Sequence, residues 1–535
     1  MSIVETPRQV RQATQPRITL RNCFQKPFDS AIAAARTCYS NRVVSPEEIT
    51  EKQRTTIGAA TFSGGHHTVF QHAHFEFGLE NISRHFVWNF LHSHPFYNSE
   101  QSSQRYVRLD QVQVFVPPLN EPARQVYLAA MERAWESYRL LSQKLAGRTR
   151  EVLYEVWKIN EPFDFAHGLE PVEGRTQPKR RVRIERMVEK KAIEVARYVL
   201  PIATFTSMVH TLSGIVLHRL YRMRNSGDTP YETAQVVDQM VERVKQVDPQ
   251  FFERIGSGPL AEEQIPERRL VAASQPEQRR QAREEFDREL GGMTSRLIAA
   301  TPDAEAITAR SVRYLLGMSQ AQLDDEQAME VVLNPALNRY RLETLDVGVH
   351  SPMMRSLQHV SYTFLKKLSH TADSQDQRHR MVPASRPLLA ASDCPEPDYI
   401  TPSLIRGNAE AEPIYQQAME EAWEAKNRLL AMGVPPEFAT YVLPNATAVR
   451  LVESGSLLHL LHKWTMRTCF NAQEEIYTAS VEELEQVRQQ HPRLSQHIGP
   501  PCALRTGLIQ PVCTEGSHFC GVKVWETWPD VQRRL

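Results

Sequence analysis

The sequence contains no apolar run of the ~18 residues that a membrane-spanning helix needs, and it has no excess of either charge. Acidic and basic residues number 63 each, so the global charge gives no argument for a nucleic-acid or membrane partner. The N-terminal stretch MSIVETPRQVRQATQP lacks the apolar segment of a secretory signal. We therefore expect a cytoplasmic protein with no membrane partner, and we do not expect a nucleic-acid partner.

Cysteine is scarce, with seven residues in 535. In a reducing compartment most of them should be free thiols. Cys502, Cys513 and Cys520 nevertheless lie close together in sequence, near His518. Three thiolates and one imidazole are a reasonable zinc set, although the tight CxxC pair of common zinc modules is missing. The sequence thus offers a structural zinc site, with three unrelated thiols as the alternative.

A length of 535 residues, with 41% hydrophobic and 24% charged residues, favours a soluble globular protein of two or three domains. An internal repeat supports this division. RYVLP at 197–201 is matched by TYVLP at 440–444, and each is followed by a helical pattern that ends in Met-Arg. The arginine stands 23 residues after the proline in both copies, at 224 after 201 and at 467 after 444.

The repeat predicts two related units. We place the first unit at 1–258, a charged helical linker at 259–300, the second unit at 301–490 and a cysteine-containing tail at 491–535. Helical spacing of apolar residues dominates the chain, and a few segments such as HAHFEFGLE at 72–80 alternate like strands. The predicted class is α+β.

Two polar segments of the first half carry groups suited to binding a nucleotide. GHHTVFQH at 65–72 combines a glycine with clustered histidines, and HSHPFYNSEQSSQRY at 92–106 is rich in hydroxyl, amide and guanidinium groups. Such groups hold a phosphate and the edge of a pyrimidine. Arg197 lies within an apolar run, and a buried arginine needs an anionic partner such as a phosphate. Taken alone, each segment is more typical of a polar surface loop.

The order of these segments resembles the flavin-dependent thymidylate synthases. That family carries GHxTxFEH, then RHRxxSxNExSxRY, then ARxVLP and a later arginine that faces the pyrimidine. This chain has GHHTVFQH, NSEQSSQRY at 98–106, ARYVLP at 196–201 and Arg224 in the same order. The resemblance implies two fused, helix-rich units, each with a small antiparallel sheet, that form a pseudo-dimer.

The second half resembles the family less closely. KKLSHTADSQDQRHR at 366–380 is similar to the same signature, with Lys366 and Lys367 where the family has Arg and His. In this register neither half has an intact Arg-His-Arg, the motif with which family members hold the flavin. Thr440 replaces the arginine of ARxVLP, and Ser213, Ile215 and Arg219 stand at later flavin-contact positions of the first half.

The resemblance implies conversion of dUMP to dTMP, with methylene-tetrahydrofolate as carbon donor, reduced FAD as hydride source and NADPH as reductant of the flavin. It implies a catalytic role for Arg224. The residues implied in binding the dUMP-type nucleotide are Ser102, Ser103, Arg105 and Arg197, with Arg378 and Arg467 as the parallel positions of the second half. The residues implied in binding FAD are His66, Thr68, His92, His94, Asn98 and Glu100.

Two alternatives remain open. The chain is then either a nucleotide-binding paralogue that has lost flavin chemistry or another pyrimidine-modifying enzyme on the same fold. Family enzymes are homotetramers, so we expect two fused chains to mimic the tetramer as a homodimer. A basic run at 178–186, PKRRVRIER, hints at a polyanion but is more often a solvated helix face.

Overall fold

The computed structural model describes residues 11–105, 109, 111–157, 177–272 and 275–535. Tyr106, which ends the first Ser-Gln-Arg-Tyr motif, and the side chains of residues 178–181 in the basic run lie outside the described residues. No helix in the part of the chain that the structure describes is long and apolar enough to cross a membrane.

Helices form most of the described structure. The α-helices are α1 Pro27–Thr37, α2 Glu51–Ser63, α3 Arg84–His92, α4 Glu121–Val156, α5 Gln177–Ala196, α6 Gly214–Arg222, α7 Pro230–Val247, α8 Gln250–Glu253, α9 Pro266–Ala272, α10 Pro276–Leu290, α11 Ala304–Leu316, α12 Asp325–Leu333, α13 His370–Asp376, α14 Leu389–Ser392, α15 Glu412–Ala431, α16 Pro436–Thr440, α17 Leu457–Arg467, α18 Glu474–Gln490, α19 Pro492–Ser495 and α20 Pro501–Arg505. Short 3₁₀ turns occupy Pro46–Glu48, His67–His72, Arg197–Val199, Glu262–Gln264, Arg339–Leu342, Val347–His350, Met354–His359, Gly516–His518 and Val524–Glu526.

The strands are short and form one principal sheet in each half. They are β1 Arg11–Ala13, β2 Arg17–Cys23, β3 His74–Ser83, β4 Asn98–Gln101, β5 Gln113–Phe115, β6 Phe205–Ser213, β7 Ser295–Ala300, β8 Ser361–Ser369, β9 Ala384–Ser385 and β10 Ala448–Ser456. The first sheet has the order β2-β3-β6-β4 and the second β7-β8-β10-β9, and all pairs in both are antiparallel. The predicted α+β class with a small antiparallel sheet per unit is confirmed.

The strand predicted around residues 72–80 is confirmed as β3. Its alternate residues Phe75, Phe77 and Leu79 are fully buried, as expected for a strand with one face on the core. The segment predicted as a charged linker, 259–300, contains α9, α10 and β7. Of the fifteen residues of α10, only Leu290 is buried, whereas β7 pairs with β8 and so belongs to the second sheet.

The same hydrogen bonds fix the strand-to-helix turn in each unit. Ser83 caps α3 by accepting from the Phe86 amide at 2.8 Å, and Ser369 caps α13 by accepting from Ala372 at 3.1 Å. Both capping serines donate through N–H and hydroxyl to a buried glutamate in the first turn of a later helix of the same unit. That partner is Glu232 for Ser83, at 2.7 and 2.6 Å.

Glu475 is the corresponding partner of Ser369, with both bonds at 2.6 Å. Each of the two glutamates also accepts from a tyrosine of the other unit. Tyr441 donates to Glu232 at 2.6 Å, and Tyr198 donates to Glu475. The two units are therefore joined by a crossed, twofold-like pair of hydrogen-bonded carboxylates.

The repeated VLP segments meet directly at this junction. The Ile202 amide donates to the Leu443 carbonyl at 2.8 Å, and the Asn445 amide donates to the Leu200 carbonyl at 2.8 Å. Apolar residues of both units share one core around the junction, including Tyr127 and Trp135 from the first unit and Tyr415 and Trp423 from the second. The structure is thus a two-unit fusion packed as a pseudo-dimer.

The crossed carboxylates make a direct stability prediction. We expect Tyr441→Phe to lower the free energy of unfolding by about 1–3 kcal/mol, because a buried carboxylate loses one of its donors. A urea titration of the full chain measures the loss. Tyr314→Phe is the matched control, since Tyr314 is 79% exposed. Equal stability of the two variants would contradict the assignment.

Candidate active site

A cavity of about 210 Å³ lies at the junction of the two units. Six of the residues predicted to bind a nucleotide line it together, namely Ser102, Ser103, Arg105 and Arg197 of the first unit and Arg378 and Arg467 of the second. The sequence suggested two parallel sets, one per half. The structure instead brings both sets into one composite cavity.

Positive charge dominates this cavity. Five arginines line it, and no carboxylate does among the described residues. One of the five, Arg84, was not predicted from the sequence, and it is the first residue of α3. Burial and the neighbouring charge of Arg197 lower the pKa of Arg84 to about 9. Burial also lowers the pKa of Arg197 and of Arg467. Clustered guanidinium groups of this kind are stabilised by an anion that makes bidentate hydrogen bonds.

Protein partners hold these arginines in place without neutralising all of them. Arg197 donates to the Glu194 carbonyl at 3.2 Å and to the Gln473 side chain at 3.2 Å. Arg105 forms an ion pair with Glu194 and donates to the Asn471 carbonyl at 2.9 Å. Since Gln473 and Asn471 belong to the second unit, first-unit arginines are positioned by contacts across the junction.

The loop that carries Ser102 is fixed by the first sheet. β4 pairs with β6 at the sheet edge, and directly after it the Ser102 amide donates to the Ser207 carbonyl at 3.0 Å. The two serine hydroxyls lie 2.8 Å apart. The Ser103 hydroxyl accepts from the Arg105 amide at 3.2 Å. These bonds turn the loop toward the second unit and set the serines beside the arginines.

A second cavity, of about 350 Å³, adjoins the first through Gln377 and Arg378, which line both. Arg378 forms an ion pair with Glu100 at 3.1 Å, and Arg380 donates to the Asn98 side chain at 3.2 Å. The Arg380 guanidinium also lies 5.1 Å from the Tyr97 ring centroid. Asn98 and Glu100, both predicted to bind FAD, therefore face Arg378 and Arg380 of the other unit.

The alignment of Lys366 and Lys367 with the Arg and His of the family motif is wrong. Lys366 lies within β8, and the helix that follows the capping Ser369 ends just before residues 377–380. These read Gln-Arg-His-Arg, so the second half contains an intact Arg378-His379-Arg380. The corresponding end of α3 in the first half reads His92-Ser93-His94. The alignment becomes clear only when the two capping serines, Ser83 and Ser369, are superposed, because they fix which residues follow α3 and α13.

Arg467 and His379 are held together. The Arg467 Nε donates to the His379 Nε2 at 2.9 Å, and its terminal nitrogen donates to the Gln375 carbonyl at 3.2 Å. Burial and the Arg467 charge hold the pKa of His379 well below its usual range. The imidazole is therefore neutral and can accept this hydrogen bond.

Arg224, the predicted catalytic residue, does not line either cavity. It forms an ion pair with Asp238 of α7, and its guanidinium lies 5.7 Å from the Tyr221 ring centroid. The twofold-like packing explains this correction, because it carries Arg224 and its counterpart Arg467 to opposite sides of the junction. Thr440, which carries no charge, stands at the repeat position of Arg197 in the second half.

Four further residues predicted to bind FAD are also outside the two cavities. His66 and Thr68 are exposed and precede β3. The ten residues of β3 span about 33 Å, and this strand separates the two residues from α3. His92 is buried beside Asp373, with its Nδ1 3.8 Å from the carboxylate, and burial lowers its pKa to about 3. His94 packs on Phe96 and Tyr97, and burial lowers its pKa to about 4.

The predicted zinc ligands do not form a metal site. No group of three or more His, Cys, Asp or Glu residues within the described ranges is arranged to hold a metal ion. Cys502, Cys513 and Cys520 are free thiols, and they pack in apolar clusters. Burial, and to a smaller extent the neighbouring thiols of Cys520 and Cys513, raises the pKa of Cys502 to about 12. His518 contributes its backbone carbonyl, which accepts from Asn471 at 2.7 Å.

A buried charge cluster supports the second-unit side of the site. Lys366 and Lys463 contact the carboxylates of Asp376 and Glu453, and all four residues are at most 3% exposed. Lys366 also contacts Glu483 at 2.9 Å. The cluster lies at the end of α13, immediately before the turn that presents Arg378. In sequence, Lys366 resembles a diverged motif residue, and no local pattern predicts this network.

Removing one cation from this cluster should be costly. We expect Lys463→Met to lower the free energy of unfolding by about 3–5 kcal/mol, because the two carboxylates it contacts remain buried with less compensation. Lys245→Met removes an exposed ion pair with Glu242 and should cost about 0–1 kcal/mol. Chemical denaturation compares the two variants, and similar losses would refute a structural role for the cluster.

Comparison with known proteins identifies the family. The family model described as "Thymidylate synthase complementing protein" matches residues 19–250 and 296–493. A protein from Clostridium tetani named "Flavin-dependent thymidylate synthase" is 28% identical over 245 residues, which cover 45% of this chain and 86% of that protein. A protein of the same name from Sulfurisphaera tokodaii is 34% identical over 176 residues, which cover 31% of this chain and 67% of that protein.

A third protein of that name, from Geobacter sulfurreducens, is 27% identical over 231 residues, covering 42% of this chain and 92% of its own length. The two family-model matches together span more than half of the chain, one in each structural unit. The chain therefore belongs to the flavin-dependent thymidylate synthase family and consists of two family units in tandem.

Proposed function

We propose that this chain converts dUMP to dTMP at the composite cavity, with methylene-tetrahydrofolate as carbon donor, FAD as cofactor and NADPH as its reductant. The observation that carries the proposal is the convergence of five arginines and three serines, without a carboxylate, in one cavity of the described structure. A dianionic phosphate attached to a pyrimidine suits such a site. No cysteine nucleophile is required, and burial raises the pKa of Cys520 to about 11, which disfavours a thiolate.

The residues divide into two roles. Ser102, Ser103, Arg105 and Arg197 lie together on the first-unit side and would bind the phosphate of the nucleotide. Arg467 approaches from the second unit and would stabilise negative charge on the pyrimidine carbonyl as the ring becomes nucleophilic. The neutral His379 holds the Arg467 guanidinium in position. This assignment moves the role first given to Arg224 to its counterpart.

The second cavity fits part of FAD. Arg378 and Arg380 would hold anionic groups of the cofactor, and Asn98 and Glu100 offer amide and carboxylate partners. The Ser99 hydroxyl also lines this cavity and is buried without a protein hydrogen-bond partner. When bound, the flavin would supply the hydride. The protein residues would orient the ring system next to the nucleotide, because Gln377 and Arg378 border both cavities.

Assembly of two chains would complete the site. A cavity of about 350 Å³ holds only one part of a dinucleotide such as FAD. His66 and Thr68 are exposed on the first unit and are available to a second copy. We propose a cytoplasmic homodimer of fused chains, in which these residues of one chain contact FAD bound to the other.

One observation favours the alternative of a nucleotide-binding paralogue without flavin chemistry. Ile215, at a position where the family contacts flavin, is 1% exposed and packed in the first-unit core. It can make no contact with a cofactor in either cavity. Another pyrimidine-modifying reaction at the same nucleotide site is equally compatible with the loss of a flavin contact at Ile215.

Two measurements separate these functions. The visible spectrum of the purified protein, recorded after addition of FAD and desalting, should show retained flavin that dUMP perturbs. An assay with dUMP, methylene-tetrahydrofolate and NADPH should then show dTMP formation. Nucleotide binding without retained flavin would support the paralogue, and binding of neither would overturn the proposal.

The two counterpart arginines provide a matched pair of variants. We expect Arg467→Ala to weaken dUMP binding by about 10- to 100-fold, because charge-assisted hydrogen bonds to the nucleotide are lost. Arg224→Ala should change the affinity by less than about threefold. Isothermal titration calorimetry with dUMP measures both affinities. A larger loss of affinity in Arg224→Ala than in Arg467→Ala would contradict the assignment of the nucleotide site to the cavity that contains Arg467.

A further inference from the structure

The loop between α17 and α18, residues 468–473, contacts two of the arginines that line the composite cavity. Arg105 donates to the Asn471 carbonyl at 2.9 Å, and Arg197 donates to the Gln473 side chain at 3.2 Å. The last residue of α17, which immediately precedes the loop, lines the same cavity. The position of this loop therefore sets the positions of cavity arginines from both units.

The segment 515–535 holds this loop through the side chain of Asn471. The Asn471 Nδ2 donates to the Glu515 side chain at 3.0 Å and to the His518 carbonyl at 2.7 Å. The second of the two segments that match the family model ends at residue 493, so both partners lie outside the family units. The same asparagine thus presents its carbonyl to a cavity arginine and its amide group to the segment 515–535.

An arginine of the same segment holds the next residue of the loop. Arg533 donates to the Ala472 carbonyl at 2.7 Å, and its guanidinium lies 4.8 Å from the Tyr477 ring centroid. Burial lowers the pKa of Arg533, and the charge of Glu194 opposes this shift. Because Glu194 also forms the ion pair with Arg105, the segment interacts with both of the groups that hold Arg105.

Apolar contacts anchor the segment 515–535 to both units. Phe519 is buried in a cluster with side chains of α4 and α5, and its ring centroid lies 5.8 Å from that of Trp157. Val524 is buried in a cluster with Phe470 and Tyr477 of the second unit. The segment therefore bridges the two units around the loop that contacts the cavity arginines.

From these contacts we propose that the segment 515–535 is a positioning element of the nucleotide site, with Asn471 and Arg533 as its positioning residues. Its contacts fix the loop, and the loop fixes the guanidinium groups of Arg105 and Arg197 where a phosphate binds. A side chain that is already ordered loses less conformational entropy when its ligand arrives, so binding is tighter. The inference rests on the proposed dUMP site.

Two adjacent arginines of the segment provide a matched pair of variants. Arg533→Gln removes the bond to the loop, whereas Arg534→Gln removes an exposed ion pair with Glu155 of α4. We expect Arg533→Gln to weaken dUMP binding by about 5- to 20-fold, because Arg105 and Arg197 must then be ordered on binding. Arg534→Gln should change the affinity by less than about twofold. Isothermal titration calorimetry of the full-length variants with dUMP measures both affinities.

Further titrations separate positioning from general stabilisation. Asn471→Ala keeps the carbonyl that accepts from Arg105 but loses the bonds to the segment, so it should weaken dUMP binding by a similar factor. Arg533→Lys keeps a cation over the Tyr477 ring and should restore the affinity to within about twofold of the unmodified chain. Deoxyuridine has no phosphate, so its binding should change by less than about twofold in every variant.

Amide hydrogen exchange tests the same contacts without a ligand. Arg533→Gln should speed exchange in peptides that cover residues 468–473 and 101–105, and Arg534→Gln should not. Faster exchange in both loops of a chain that binds no dUMP would contradict the proposed function and support the positioning of Arg105. The inference is overturned if Arg533→Gln binds dUMP as tightly as Arg534→Gln does, if dUMP and deoxyuridine lose affinity equally, or if exchange in the two loops is unchanged.

Discussion

The crossed hydrogen bonds at Glu232 and Glu475 are the constraint on which the arrangement of this chain depends. Each carboxylate joins the capping serine of its own unit to a tyrosine of the other unit. Burial raises the pKa of Glu232 to about 7, and it also raises the pKa of Glu475. Buried carboxyl groups are tolerated only when such partners are in place. The same contacts thus fix the helix that follows each sheet and the orientation of one unit against the other.

That orientation makes the two sides of the junction unequal. The twofold-like packing brings the serine–arginine loop of the first unit to the Arg378 and Arg467 side of the second. On the other side, Thr440 stands in place of Arg197, and Arg224 is paired with Asp238. Gene fusion allows this divergence, because the two copies no longer have to be identical as they are in a symmetric oligomer. One side has the cluster of five arginines, while the other retains mainly the packing.

The sequence predicts the local features well and their assembly poorly. The VLP repeat and the alternation around Phe75 predict the two units and β3, because both depend on residues close together in the chain. The convergence of Arg105 with Arg467 depends on contacts between units, and no local pattern contains it. The misplacement of the Arg-His-Arg motif at Lys366 has the same cause, since a buried lysine among carboxylates looks like a surface lysine in sequence. The cysteines likewise look like ligands until their packing is known.

The central claim is that one chain contains one nucleotide site built from both units. The number of dUMP molecules bound per 535-residue chain tests it most directly, and calorimetric titration of the intact protein at known active concentration provides that number. The account predicts one dUMP per chain. Two equivalent dUMP molecules per chain would contradict it, because each half would then hold a competent site of its own.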